Sequence, residues 1–211
     1  MNTAKIIQLF PISLFETNID VDEKDREFLI NQKFESMPSK NGNFTKDKFI
    51  LNNEKCKNLK EKIFKALDFY VREYLTVEKN INFYLQNSWV NLHTTGNYGQ
   101  SHIHANSLIS GVYYIKTFED SGNIIFHKPD GYTNLFHTST NIRFEKYDNH
   151  NSDRYVIKPK DGTLLFFPSH LLHSIEKNLN KQKRYSMGFN FFAEGELYSR
   201  DSNIDYLNLR R

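Results

Sequence analysis

The 211-residue sequence predicts a mainly β fold with helices near its N-terminus, the β part closing as a double-stranded β-helix, or jelly roll. Three observations lead there. Near Asn82 the apolar period changes from three-and-four to alternating. Beyond that point, short apolar runs are separated by turn residues, roughly eight of them in all, with connections short enough to favour antiparallel pairing. Aromatic residues make up 15% of the chain, with 18 Phe and 12 Tyr, which suits sheet faces.

In chain order, residues 6–17 read as an opening strand kinked at Pro11, a residue tolerated at sheet edges. Asp22 to Phe34 begins with acidic residues that suit the positive end of a helix dipole. After a Gly/Asn-rich loop, Asn53 caps a second helix over about 54–75. There Leu59, Ile63, Leu67, Tyr70, Val71 and Tyr74 recur on one face. Strands follow in NFYLQNSWVNLH, SLISGVYYIK, SGNIIFHKPDG, RYVIKPKDG, TLLFFPS, LLHSI and RYSMGFNFFAE. Residues 130–154 are polar and irregular, an insertion of the kind that either closes over a site as a lid or is disordered. The expected organisation is a single domain over 1–211. Within it, 1–80 is a helical N-terminal support, 81–195 a jelly-roll core carrying the insertion 130–154, and 196–211 a C-terminal tail.

Composition removes several function classes. The net charge of +3 is mild, and the densest basic run, residues 177–184, reads as a solvated hairpin loop, so nucleic acid is not indicated. The one cysteine, Cys56, allows neither an internal disulfide nor a thiolate zinc site. No apolar run approaches the ~20 residues of a membrane span, and the N-terminus lacks a signal-peptide pattern, which makes the cytoplasm the expected location.

The chemistry gathers in a few positions. His102 and His104 sit one residue apart, so on a strand they would project to one side, as a shared metal requires. His173 lies in a second buried-strand stretch, and Arg184 and Ser186 follow it on the next. Neutral imidazoles suit Fe(II), while a guanidinium and a hydroxyl are the groups that hold the far carboxylate of a dicarboxylate chelated at the metal.

These motifs read Trp89 to Asn91, His102-x-His104, Ser110 to Tyr114, Phe167 to His173 and Arg184-x-Ser186 through Asn190. The string resembles the 2-oxoglutarate- and Fe(II)-dependent oxygenases, and more narrowly a bacterial and phage branch with H-x-H, a later histidine and R-x-S. The resemblance covers about half the chain. It implies Fe(II) bound by His102 and His173, and 2-oxoglutarate held by Arg184 and Ser186, with Asn91 as a further contact to it. His93 stands where related enzymes place a tyrosine, and Tyr113 and Asn190 would line the pocket. It also implies O2 as co-reactant and hydroxylation of an unidentified small-molecule or peptide substrate, with release of succinate and CO2.

His104 departs from the wider superfamily, which has aspartate there. It would be a third iron ligand; the alternatives are a role beside the metal, or a site for zinc, copper or nickel. Lys128 also differs from the acidic residue usual before Pro129, so the substrate preference would differ. Two other classes stay open. A cupin-type metalloenzyme shares Gly96-x5-His102-x-His104 but has a glutamate soon after it, where this chain has Asn106 to Ile109. A non-catalytic jelly-roll binding module would need none of these residues.

Overall fold

The computed structural model describes residues 4, 5, 7, 11–20, 22–129, 142–148, 151–199 and 202–209. Most of the expected 130–154 insertion, with His137 and His150, lies outside the described residues, as do residues 6 and 8–10 of the expected opening strand.

The N-terminal part carries more strand than its helical pattern suggested. β1 (Phe15–Asn18), β2 (Phe34–Ser36) and β3 (Asn43–Thr45) join the large sheet, and α1 (Glu23–Ile30) and α2 (Lys57–Phe69) pack beside it. Asp22 caps α1, its side chain accepting from the Lys24 amide at 3.0 Å. Asn53 caps a short 3-10 turn, Glu54–Cys56, that leads into α2. Helical structure continues beyond α2 as a π turn, Tyr70–Tyr74, where the Leu75 amide bonds back to the Tyr70 carbonyl. The face predicted from spacing is buried at Leu59, Ile63, Leu67, Tyr70 and Val71, all at most 2% exposed, but Tyr74, expected on it, is 65% exposed at the end of the π turn. Each apolar side chain buried in this way contributes on the order of 1.5–3 kcal/mol.

The β core holds nine further strands: β4 (Asn82–His93), β5 (Gly99–His102), β6 (Ile109–Lys116), β7 (Ile124–His127), β8 (Arg154–Ile157), β9 (Thr163–Pro168), β10 (His173–Ile175), β11 (Arg184–Ser199) and β12 (Ser202–Leu209). The large sheet runs β1-β9-β6-β11-β4-β3-β2, with β12 paired to β11, and the small sheet runs β5-β10-β7-β8. Every strand pair is antiparallel, as expected of a jelly roll. The segment expected as a C-terminal tail instead forms a hairpin, since β11 runs on past residue 195 and β12 folds back along it.

β11 organises the molecule. At 16 residues it pairs with β4 on one side and β6 on the other, so alternate side chains face opposite ways. Met187, Phe189 and Phe191 join Tyr113, Ile115, Leu164 and Phe166 in a core against the helices. Arg184, Ser186 and Asn190 face the interior between the two sheets. One half of that interior is filled by Val112, Tyr114, Ile124, Phe126, Ile157, Leu165, Phe167 and Leu171. The other half is polar.

Candidate active site

His102 ends β5 and His173 begins β10, directly opposite one another in register, with ring centroids 4.3 Å apart. His104 joins them by a different route from the strand alternation expected. β5 has already ended, and the His104 backbone amide is tied to the Ser169 carbonyl at 2.9 Å. Its ring lies 5.2 Å from that of His102 and 5.1 Å from that of His173, and its Nε2 is 3.3 Å from Nε2 of His173. One candidate ligand atom from each of the three lies within 4.8 Å of the others.

Two of these rings have their tautomers set by the backbone. Nδ1 of His102 is 2.7 Å from the Gln100 carbonyl, and Nδ1 of His173 is 2.9 Å from the Leu171 carbonyl. A carbonyl only accepts, so Nδ1 carries the proton in each and Nε2 keeps its lone pair. Burial, then the neighbouring His102, lowers the pKa of His173 to about 3 and that of His104 to about 4; a hydrogen bond between His104 and the Asn190 side chain works the other way. At neutral pH both are uncharged donors, the form a metal takes. The three residues therefore fit a divalent metal. Trp89 stacks on His104 at 5.9 Å and 25°. Opposite Trp89 stands Gly188, where any Cβ would come within 2.7 Å of the indole.

The second half of the site is built on β4, β11 and β6. Ser186 lies in register with Asn91 on one side and Tyr114 on the other, and Arg184 with His93 in the next row. Arg184 is only 1% exposed. Its Nη1 donates to the Gly122 carbonyl at 3.0 Å and its Nη2 to Nδ1 of His93 at 2.6 Å. Nε has no partner, and among the described residues no carboxylate lies within ion-pair distance of the guanidinium. An unpaired buried charge costs several kcal/mol, which makes this an anion site by chemistry. The Tyr114 ring is 5.9 Å from the guanidinium carbon, and its hydroxyl is also buried without a partner. Desolvation pushes that phenol up to about 12, so it remains a donor. Asn91 accepts from Trp89 Nε1 at 2.9 Å, which leaves its amide N–H groups to face elsewhere. Two unsatisfied donors, the Tyr114 hydroxyl and Nε of the buried Arg184 cation, fit the carboxylate of a 2-oxo diacid.

Two expected positions change. Tyr113 is not in the pocket: its hydroxyl donates to the Ile19 carbonyl at 3.1 Å and its ring belongs to the helix-side core. Alternation on β6 puts Tyr114 inward instead, and only the register with Ser186 distinguishes the two. His93 contacts Arg184 and abuts Gly42, where a Cβ would meet its ring at 2.7 Å. Burial and then Arg184 hold its pKa at about 3, so it accepts from the guanidinium as a neutral ring. Sequence reasoning also gave Trp89 no role and missed Tyr114.

Residues 87–190 match the family described as "Putative 2OG-Fe(II) oxygenase". No curated protein sequence matches the chain. Among solved structures, the fold is similar to the non-haem α-ketoglutarate-dependent epimerase SnoN from nogalamycin biosynthesis, at TM-score 0.59 and 12% identity over 87% of this chain and 81% of that one. It is also similar to a Pseudomonas putida prolyl-4-hydroxylase, at TM-score 0.55 and 13% identity over 85% and 92%. HygX from Streptomyces hygroscopicus, solved with nickel and 2-oxoglutarate, matches at TM-score 0.56 and 11% identity over 85% and 82%. With the His102-x-His104, His173 and Arg184-x-Ser186 pattern assembled in one jelly-roll interior, this chain belongs to the 2-oxoglutarate- and Fe(II)-dependent oxygenase superfamily.

Proposed function

We propose that the protein is a dioxygenase using Fe(II), 2-oxoglutarate and O2 to hydroxylate a small-molecule or peptide substrate, releasing succinate and CO2. The observation that carries this reading is the buried Arg184 guanidinium with no anion beside it, next to the orphaned Tyr114 hydroxyl. Neither a cupin-type enzyme nor a binding module gives those two donors a purpose.

In this reading His102, His104 and His173 hold Fe(II), and bound iron supplies O2 activation coupled to oxidative decarboxylation of the 2-oxo acid. Arg184 binds the distal carboxylate through Nε, with Tyr114 and Ser186 donating hydroxyl hydrogen bonds and Asn91 its amide. His93 fixes the plane of the guanidinium, so it positions Arg184 while the carboxylate sits on the far edge. Three neutral imidazoles cancel none of the metal's charge, so the chelating carboxylate of the cosubstrate would be the anionic group at the metal, where related enzymes add an aspartate. Phe126, Phe167 and Leu171 close the apolar half of the interior and keep water from the reacting centre. A prolyl hydroxylase and an epimerase share this fold, so hydroxylation rests on its being the outcome that needs no additional group.

The test is succinate formation from 2-oxoglutarate with Fe(II) and O2 in the absence of added substrate. Slow turnover that needs both iron and oxygen, and that disappears in His173→Ala, is the expected result. An iron-loaded protein that makes no succinate and does not bind 2-oxoglutarate would contradict the reading.

A further inference from the structure

The three histidines are held in different ways. His102 and His173 are each turned by a hydrogen bond from Nδ1 to a backbone carbonyl. The ring of His104 is set among other rings: the Trp89 indole lies 5.9 Å away at 25°, and the Phe167 ring meets it at 6.5 Å and 73°. An imidazole offers its lone pair along one direction in the ring plane, so whatever fixes that plane decides whether a metal can use it.

We propose that Trp89 is a positioning residue for both halves of the site: the face of its indole holds the His104 ring at the metal, and its Nε1–H holds the Asn91 amide with the NH2 turned to the far carboxylate of the cosubstrate. Both roles rest on the proposed function, which assigns His104 to the metal and Asn91 to 2-oxoglutarate.

The strand geometry around Trp89 serves both contacts. Trp89 and Asn91 are two residues apart on β4 and share its interior face. An indole nitrogen only donates, so the Asn91 atom 2.9 Å from it is the amide oxygen, and both Nδ2 hydrogens remain for an acceptor. Asn91 lies opposite Ser186, with Arg184 in the next row of the same face. On the other side of Trp89's own row stands Gly188, where a Cβ would come within 2.7, 2.9 and 3.3 Å of Cζ2, Cε2 and Cη2. The six-membered half of the indole thus occupies the space that any side chain at 188 would need, and sits against the bare backbone of β11. A ring seated there cannot tilt without leaving either His104 or Asn91. Phenylalanine would supply a face without the donor.

Calorimetry separates the two roles without catalysis, first with Co(II) and then with 2-oxoglutarate or oxalate on the Co(II) protein. Oxalate chelates a metal but has no far carboxylate. Trp89 is the chain's one tryptophan, so its fluorescence reports metal at His104, and growth on benzothienylalanine, which replaces the indole N–H by sulfur, alters this residue alone. That protein keeps the ring face, and should bind Co(II) and oxalate within about threefold of wild type. Its 2-oxoglutarate affinity should fall roughly threefold to tenfold, the value of one hydrogen bond, a split that a packing role would not produce. Trp89→Leu should bind Co(II) roughly tenfold or more weakly, the range for groups that orient metal ligands. Gly188→Ala, which adds one methyl group beneath the indole, should weaken Co(II) and 2-oxoglutarate together, and serves if the leucine variant does not fold. Unchanged 2-oxoglutarate affinity in the benzothienyl protein, or an equal loss for oxalate, would overturn the role toward Asn91. Unchanged Co(II) affinity in Trp89→Leu or Gly188→Ala would overturn the role toward His104. A His104→Ala protein that binds Co(II) as tightly as wild type, or a wild-type Co(II) protein that does not bind 2-oxoglutarate, would instead remove the assignments beneath both roles.

Discussion

Tyr113 and Tyr114 are adjacent on β6, both without solvent exposure, and they belong to opposite faces of one sheet. The Tyr113 face packs on the helices, and its hydroxyl has a carbonyl to satisfy it. The Tyr114 face looks into the jelly-roll interior, and its hydroxyl has none. The same contrast runs along β11, where Met187, Phe189 and Phe191 fill the helix side while Arg184, Ser186 and Asn190 carry the polar interior. One face stabilises the fold, and its buried Tyr113 hydroxyl is paired. The other keeps a charge and two donors unmet, a cost of several kcal/mol that a ligand can recover.

Mutations sort by this contrast. The largest effect is expected on the interior face: His173→Ala should abolish metal binding, read by Trp89 fluorescence, while leaving the fold intact by circular dichroism. Next is Arg184→Leu, which should leave metal binding in place and weaken 2-oxoglutarate by roughly 100-fold or more, read by calorimetry on the anaerobic metal-loaded protein. The two tyrosines give the sharpest comparison. Tyr114→Phe should weaken 2-oxoglutarate roughly tenfold or more, the value of a hydrogen bond to a charged group, with thermal stability of the unliganded protein unchanged or slightly raised. Tyr113→Phe should leave binding alone and cost about 1 kcal/mol, or about 2–4 °C in melting temperature. Equal effects from the two tyrosines would break the distinction between the faces.

A further effect is on pH. His93, His104 and His173 are held neutral, with pKa values of about 3, 4 and 3, against 6.5 unfolded. Below pH 6.5 the unfolded chain takes up protons that the native state refuses, so metal-free stability should fall as pH drops from 6.5 towards 4. The slope is at most about 1.4 kcal/mol per pH unit for each histidine. A melting temperature flat between pH 7 and 5 would contradict their burial as neutral rings.

Much of this could be read from the sequence because it depends on period. The buried face of α2 follows from its three- and four-residue spacing, the core strands from short apolar runs between turns, and the histidine and arginine motifs from their order, whereas β12 falls where a tail was expected. What could not be read depends on register. Tyr113 and Tyr114 are both plausible until Ser186 is known to lie opposite Tyr114. Likewise β1, β2 and β3 are three- and four-residue strands that gain their identity only by pairing with the large sheet. His104 was expected near His102 for the wrong reason, since its place comes from a backbone bond to Ser169 across the chain rather than from strand geometry.

The most direct measurement is an anaerobic titration of the purified protein with Fe(II) and then 2-oxoglutarate, followed by visible absorbance. A weak charge-transfer band that appears only with both, and that is diminished in Tyr114→Phe and lost in Arg184→Leu while Tyr113→Phe retains it, is the predicted result. Iron bound without any such band at saturating 2-oxoglutarate would mean that the unmet donors of the interior face await a different anion, and would contradict the account.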